Sequence, residues 1–404
     1  MVFTGWEELR GLFPALKYFK AFLNTASEGL APVGVLKALT YFADVLSTHD
    51  LRLNEVLESM VDEARGEVAK LVGGGVDEVA FTVQTTDGLK RVLSSLNVGR
   101  GDVVVSVDLE FPTVSSLIKS LCSVRGCVPR VVEGFGRYDV GFFEEVIDDR
   151  TKAVVVSSVN WVSGWRLDLR RLSKVVHDRG ALLVVDGVQH VGALKLDVRY
   201  EGVDALCVGG EKWLLNPYLG SGFMYVRREL IEDLDVGVYG ILNREPPPSG
   251  WSSYWPDPSK DPWSLPEVSK TAVRFEWGGG RPYPQVLTLY EAVKLINSVG
   301  IESIEARVLE LRGYLIKRLV EEGYEVLHHV EDRRAWSGIT LVKTGLPQDK
   351  ELELVRRLVR MGVVVSYRGA RNFSGVRVST HFYNDFNDVE EFVKALNEEK
   401  VKLS

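Results

Sequence analysis

Three short apolar runs in quick succession constrain this chain most. The run 181–185 ends on Asp186. The run 205–208 ends on Gly209-Gly210-Glu211-Lys212-Trp213, and the run 222–226 follows a turn containing Pro217 and Gly220. Runs of this length bounded by turn signals read as buried strands. An acid and a lysine therefore stand at strand ends, where doubly wound sheets place their ligands.

The rest of the chain supplies matching elements. Residues 6–12 are expected as a short helix. Apolar spacing at Val56, Leu57, Met60, Val61, Ala64, Val68 and Leu71 predicts a helix over 54–71, stopped by Gly73-Gly74-Gly75. A strand over 79–83 runs into Gln84-Thr85-Thr86-Asp87-Gly88, and a helix follows with Leu89, Val92, Leu93 and Leu96 on one face. A strand, a Thr/Gly turn and a helix make an anion site, because free N–H groups and the positive helix end converge there. Further strands are expected over 103–107 and 152–159, and a helix over 169–176. Helices over 290–297 and 301–320 then lead to strands 339–342, 363–366 and 376–379, with helices around 352–361 and 389–396. The stretch 235–275 carries Pro246-Pro247-Pro248, Trp251, Tyr254, Trp255 and Trp263 without periodicity. Its aromatic content argues for a packed lid or a contact segment rather than disorder.

Asp186-Gly187-Val188-Gln189, followed by Lys212-Trp213-Leu214-Leu215-Asn216-Pro217 and Gly220-Ser221-Gly222-Phe223-Met224-Tyr225-Val226-Arg227, resembles the pyridoxal-phosphate (PLP) enzymes of fold type I. The resemblance is to the class V aminotransferase and cysteine desulfurase superfamily, and weaker echoes cover most of the chain. It implies an α/β fold: a large domain with a mostly parallel doubly wound sheet (31–280), preceded by an N-terminal segment near the active site (1–30). A small α+β domain (281–404) would close the chain.

The resemblance also assigns roles that chemistry makes sensible. Lys212 would hold the PLP aldehyde as a Schiff base and move protons, which suits a residue whose pKa burial readily depresses. Asp186 would keep the pyridine nitrogen protonated, and Gln189 would bond the ring hydroxyl. Thr85 and Thr86 would take the phosphate. Phe111, after the strand 103–107, stands where relatives stack an aromatic ring on the cofactor. Asn160 is expected near the ring hydroxyl, although the best register puts Trp161 there. Asn24, in a stretch shaped like the L-N-x-A-S/T-x-G-x-x-P loop of relatives, would shape the substrate pocket. Arg377, in Arg377-Val378-Ser379-Thr380-His381-Phe382-Tyr383-Asn384, would grip the substrate α-carboxylate with its planar fork. Arg368 is expected on the solvated surface, with a second anion clamp as the alternative.

Departures from the family pattern narrow the reaction. Phe111 replaces the histidine usual in desulfurases and cannot exchange protons. Gly209-Gly210-Glu211 replaces Ser/Thr-x-His before the lysine. Arg274-Phe275-Glu276-Trp277-Gly278-Gly279 resembles R-F-E-x-G-T, but Gly279 stands where relatives reach the partner subunit's phosphate with a threonine. No cysteine follows Cys207, so the mobile-loop nucleophile of a desulfurase is missing. The expectation is an aminotransferase acting on an amino acid, with a keto-acid acceptor. A PLP-dependent lyase of the desulfurase type or an amino-acid epimerase is the alternative, and a catalytically silent binding protein on the same fold the non-enzyme one. The affinity is closer to the isopenicillin N epimerase-like and aminotransferase branch than to true desulfurases.

Composition bounds the partners. A net charge of −7 gives no reason to expect nucleic acid or an anionic membrane. No apolar stretch reaches a membrane span and the N-terminus lacks a signal-peptide layout. Three cysteines make no disulfide framework. A cytoplasmic homodimer without a metal site is the expectation, the dimer by resemblance alone.

Overall fold

The computed structural model describes residues 5–48, 53–328 and 332–404. Residues 1–4, which the sequence reading places in the N-terminal segment, lie outside them. A first short strand, β1 (Ala21–Phe22), precedes seven that form the central sheet. These are β2 (Val79–Thr82), β3 (Val103–Val107), β4 (Val128–Val132), β5 (Thr151–Ser157), β6 (Leu182–Asp186), β7 (Ala205–Gly209) and β8 (Gly222–Val226). Their order is β2-β8-β7-β6-β5-β3-β4. Only β8 runs against the rest, pairing antiparallel with both β2 and β7. The parallel strands therefore end on one edge of the sheet, and the loops carrying Thr85, Phe111, Asn160, Asp186 and Lys212 gather there.

Why these segments are strands follows from where they lie. Every residue of β2, β3, β7 and β8 is buried. A sheet covered on both faces needs apolar residues at successive positions, which is the run-like pattern of the sequence. The edge strand β4 is mostly exposed and carries Pro129 and Arg130, residues that blunt an edge against further pairing. The opposite edge, β2, is closed by side chains. Arg65 donates to the Val79 carbonyl (2.7 Å) and pairs with Glu276 (2.7 Å), which accepts from Phe81 N–H (2.9 Å). Glu276 of the R-F-E stretch thus seals a sheet edge.

A second sheet lies C-terminal. Its strands are β9 (Glu325–Leu327), β10 (Ile339–Lys343), β12 (Ser366–Ala370) and β13 (Phe373–Ser379), in the order β12-β13-β10-β9 and all antiparallel. The short β11 (Val363–Val364) pairs in parallel with β1, so the N-terminal segment is hydrogen-bonded to the C-terminal part of the chain. The helices Tyr283–Val299 and Ile301–Glu321 connect the two sheets. The first starts seven residues earlier than the spacing suggested, because Pro282 and Pro284 set its first turn.

Two expectations change. The helix Val33–Thr48 had no counterpart in the sequence reading; its apolar Leu36, Tyr41 and Leu46 are exposed and leave no buried stripe to read. The cysteines are not all free. Cys122, in the last turn of the helix Pro112–Arg125, is bridged to Cys127. Gly126 takes a left-handed φ of 79° and folds the chain back so that the two Cα atoms lie 4.4 Å apart. A local bridge of this kind is legible only once the helix end is known.

Candidate active site

Asp186 closes β6 with its carboxylate buried, accepting one N–H, from Val188 at 2.9 Å. Burial pushes its pKa up to about 6, against the lowering effects of the Val188 bond and the charge of Lys212. Lys212 follows β7 by three residues. Burial lowers its pKa; the charges of Glu211 and Asp186 oppose this, while Arg377 and Arg368 add to it. Glu211 thus favours the charged lysine, and burial outweighs it.

The lysine is held from both sides. Gly29 donates to the Glu211 carbonyl (2.8 Å), and a Cβ on Gly29 would stand 2.1 Å from the Lys212 carbonyl oxygen. The 22–32 stretch can lie on the lysine backbone only because a glycine is there. Trp213, fully buried, donates to Gln189 Oε1 (2.7 Å), and its carbonyl meets His381 Nε2 at 3.0 Å. Gln189 in turn donates to the Ala26 carbonyl (2.9 Å). Gln189 thus ties three segments together and keeps one amide N–H uncommitted.

Phe111 presents its ring to the lysine, with Lys212 Nζ 5.3 Å from the ring centroid, and packs edge-on against Trp161 at 5.5 Å. Beneath it Glu110 is buried, accepting from Ser157 N–H, the Ser157 hydroxyl and Phe111 N–H. Burial, with Asp186 nearby, raises its pKa to about 7. Sequence reasoning passed over Glu110; its only signal was an acid at a strand end beside an aromatic. Asn160 is buried in the loop after β5. Its amide donates to the Leu109 carbonyl and accepts from Val162 N–H, Ser163 N–H and the Ser163 hydroxyl. It organises its own turn, and it is the neighbouring Trp161 that meets Phe111.

Thr85 opens the helix Thr85–Ser95, and its hydroxyl accepts Gly209 N–H at 2.8 Å, joining the helix start to the end of β7. No side chain caps that helix, so its first N–H groups and the half-buried Thr86 are left for an anion. Asp87 turns away: it accepts Val83 N–H and pairs with Arg91. Gly279 is exposed, with nothing within 4 Å of the side chain it lacks.

On the far side of the lysine, Arg377 on β13 is buried. It donates to the Trp161 carbonyl (2.7 Å) and to the Ser27 hydroxyl (2.6 Å). Ser27 donates to Asn24 Oδ1 (2.8 Å). Arg368 on β12, half-buried rather than solvated as expected, donates to the same Ser27 hydroxyl at 3.0 Å. The structure thus joins Asn24 and Arg377 through Ser27, a residue the sequence offered only as a turn former.

The site suits a phosphorylated aromatic aldehyde. It offers a lysine of depressed pKa and a buried carboxylate, an aromatic face beside the lysine, and an uncapped helix start. Among the described residues no group of three or more His, Cys, Asp or Glu side chains could hold a metal, and no helix is long and apolar enough to cross a membrane.

The family model "Aminotransferase class-V" matches residues 22–392. An uncharacterized aminotransferase of Bacillus subtilis is 27% identical over 381 residues, 94% of each chain. A probable cysteine desulfurase of Aeropyrum pernix is 28% identical over 418 residues, 97% of each chain. Among solved structures, the apo cysteine desulfurase of Thermococcus onnurineus superposes with a TM-score of 0.83 at 21% identity, over 98% of each chain. The cystine C–S lyase C-DES, bound to cysteine persulfide, gives 0.83 at 18% identity over 95% of this chain and 98% of its own.

Proposed function

We propose that this chain, which belongs to the class V aminotransferase family and takes pyridoxal phosphate as cofactor, is an aminotransferase. When bound, the cofactor supplies an aldehyde that condenses with amines and a ring that withdraws electrons from the substrate Cα. The residues of this chain do the rest. Lys212 would hold the cofactor aldehyde, and its amine would carry the proton to and from the substrate Cα. Its depressed pKa keeps an unprotonated fraction available for that work. Asp186 would hold a proton on the ring nitrogen, Thr85, Thr86 and the helix start would receive the phosphate, and Phe111 would offer the ring an aromatic surface. Arg377 and Asn24 position the substrate carboxylate.

The observation that favours transfer over a desulfurase that passes sulfur to its own cysteine is the β12–β13 hairpin. Ala370 pairs directly with Phe373, so Arg371 and Asn372 alone make the turn, both at positive φ (49° and 65°). A two-residue turn of this type leaves no room for a mobile loop bearing a nucleophile. The remaining thiols do not replace it. Cys122 and Cys127 are bridged, and Cys207 is buried in β7 with its pKa pushed well up by burial. A lyase of the desulfurase type is the second reading, supported by the name of the Aeropyrum relative.

Further parts of the proposal are a cytoplasmic homodimer, with Gly279 facing the partner's phosphate, and the division 1–30, 31–280 and 281–404. The exposed Leu36, Tyr41 and Leu46 would support an interface. The test is the absorption spectrum of the cofactor-loaded protein as single L-amino acids are added without keto acid. Stoichiometric, lasting transfer of the amino group to the cofactor, with one equivalent of keto acid released, is expected. Return to the starting spectrum with product accumulating over many turnovers would replace this reading with a lyase or an amino-acid epimerase.

A further inference from the structure

Two guanidinium groups meet at one neutral hydroxyl in this site, and no carboxylate answers them. Arg377 Nη2 and Arg368 Nη2 bond Ser27 Oγ at 2.6 and 3.0 Å. Their other committed nitrogens go to backbone carbonyls, Arg377 Nη1 to Trp161 and Arg368 Nη1 to Tyr367. Arg377 Nε is buried without a hydrogen-bond partner. Among the described residues neither arginine forms a salt bridge, in a chain with an excess of acidic over basic residues and ion pairs along most of its length.

Like charges brought this close, partly out of water, are unfavourable unless an anion joins them. One carboxylate answers one guanidinium in a two-bond fork. A second guanidinium, fixed beside the first through a shared hydroxyl, leaves a second anionic group to be answered. The mounting is stiff: Arg377 and Arg368 sit on adjacent strands of one sheet, with Arg368 opposite Gly375 and Arg377 opposite Ser366. Both charges also lie close enough to Lys212 to lower its pKa.

We propose that Arg368 is a specificity-determining residue for a second acidic group, and that the substrate or acceptor is a dicarboxylate-type amino or keto acid. Arg377 takes the α-carboxylate and Arg368 the distal acidic group, with Ser27 as the spacer that Asn24 orients. This rests on the site of the proposed amino-group transfer, and it names the class of compound that site selects.

The test separates the two claims by using ligands that cannot react. Succinate and butyrate are titrated calorimetrically into the cofactor-loaded protein, its Arg368→Gln and Arg368→Lys variants, and Arg377→Gln. In the wild type, succinate is expected to bind at least about tenfold more tightly than butyrate, the usual effect of one added charge-assisted pair. Arg368→Gln should remove most of that preference while lowering butyrate affinity much less, and Arg368→Lys should restore part of it. Arg377→Gln should weaken both ligands. Equal losses for both ligands in Arg368→Gln would mean that both arginines grip one carboxylate, and no loss for either would mean Arg368 binds nothing; each overturns the proposal. Retained butyrate binding reports that the variant is folded. Turnover of L-aspartate and L-glutamate against L-asparagine and L-glutamine then repeats the comparison on reacting compounds. Absence of amino-group transfer together with a succinate preference would sink the functional reading and leave the clamp standing.

Discussion

Gly29 lies against the backbone of Lys212 so closely that a single methyl group would stand 2.1 Å from the lysine carbonyl oxygen. The contact is backbone on backbone, so no flexible side chain can yield. Gly29→Ala is therefore expected to push the 22–32 stretch off the lysine and shift Asn24 and Ser27 with it. Overpacking of this kind costs about 1–3 kcal/mol of stability, and displacement of positioning groups lowers kcat/KM by about tenfold or more. Denaturant unfolding and steady-state kinetics measure the two. Wild-type kcat/KM in a folded Gly29→Ala protein would show that the loop does not position substrate.

Lys212 and Asp186 make separable contributions. Lys212→Ala is expected to abolish covalent attachment of the cofactor, read as the mass retained after borohydride reduction. Asp186→Asn should still allow covalent attachment through Lys212, with weaker loading, and lower kcat by about 10²–10³, the usual loss when a fixed charge facing the reacting group is removed. Because the buried Asp186 carboxyl has its pKa pushed up to about 6, cofactor loading should weaken as pH falls through that value and the carboxylate is lost. A retained mass in Lys212→Ala would place the attachment elsewhere. Loading that is flat from pH 8 to pH 5 would remove Asp186 from the ring nitrogen.

How far the chain could be read depended on whether a residue's role was local. Asp186, Lys212 and Phe111 stand at strand ends, and a strand end is written in consecutive residues. Arg368 was misplaced because its partner, Ser27, lies 341 residues away, and nothing near Arg368 distinguishes a clamp from a solvated surface charge. The bonds by which Asn160 holds its own turn, to Leu109, Val162 and Ser163, are not announced by any spacing in the sequence. Glu276, in the R-F-E stretch, had no role legible in the sequence until β2 showed an unpaired edge for it to close. The Thr85–Thr86 turn was legible as an anion site from backbone chemistry alone; that Thr85 also binds the end of β7 was not.

The bridge between Cys122 and Cys127 leaves Cys207 as the single free thiol. Thiol titration of the denatured, unreduced protein should therefore give one group per chain, rising to three after reduction. The loop it closes is short, so the double variant Cys122→Ser/Cys127→Ser is expected to lose about 2 kcal/mol by the chain-entropy relation. Turnover should not change, since neither residue approaches Lys212. Three thiols without reductant would show the pair to be open under the conditions used.

His381 is fully buried between Trp213 and Phe382, and both ring nitrogens are committed. Nδ1 accepts Phe382 N–H at 2.8 Å, so Nε2 carries the proton and donates to the Trp213 carbonyl at 3.0 Å. Protonation would set an Nδ1–H against the Phe382 N–H, and burial already holds the pKa down to about 4, from 6.5. A histidine depressed on folding contributes stability that is full above its unfolded pKa and is lost as pH falls through the folded one. The window is therefore pH 6.5 down to about 4, and the loss approaches about 3 kcal/mol at its lower end. Urea unfolding at intervals across that window should show the decline, and His381→Gln should flatten this part of it while lowering stability at pH 7. Equal slopes in the two proteins would mean that His381 does not titrate against folding and that the acid sensitivity belongs to other groups. Because the Trp213 carbonyl that His381 binds directly follows Lys212, the same protonation should also loosen the lysine. Cofactor release on acidification is thus expected to begin before global unfolding, and to be separated from the Asp186 effect by its persistence in Asp186→Asn.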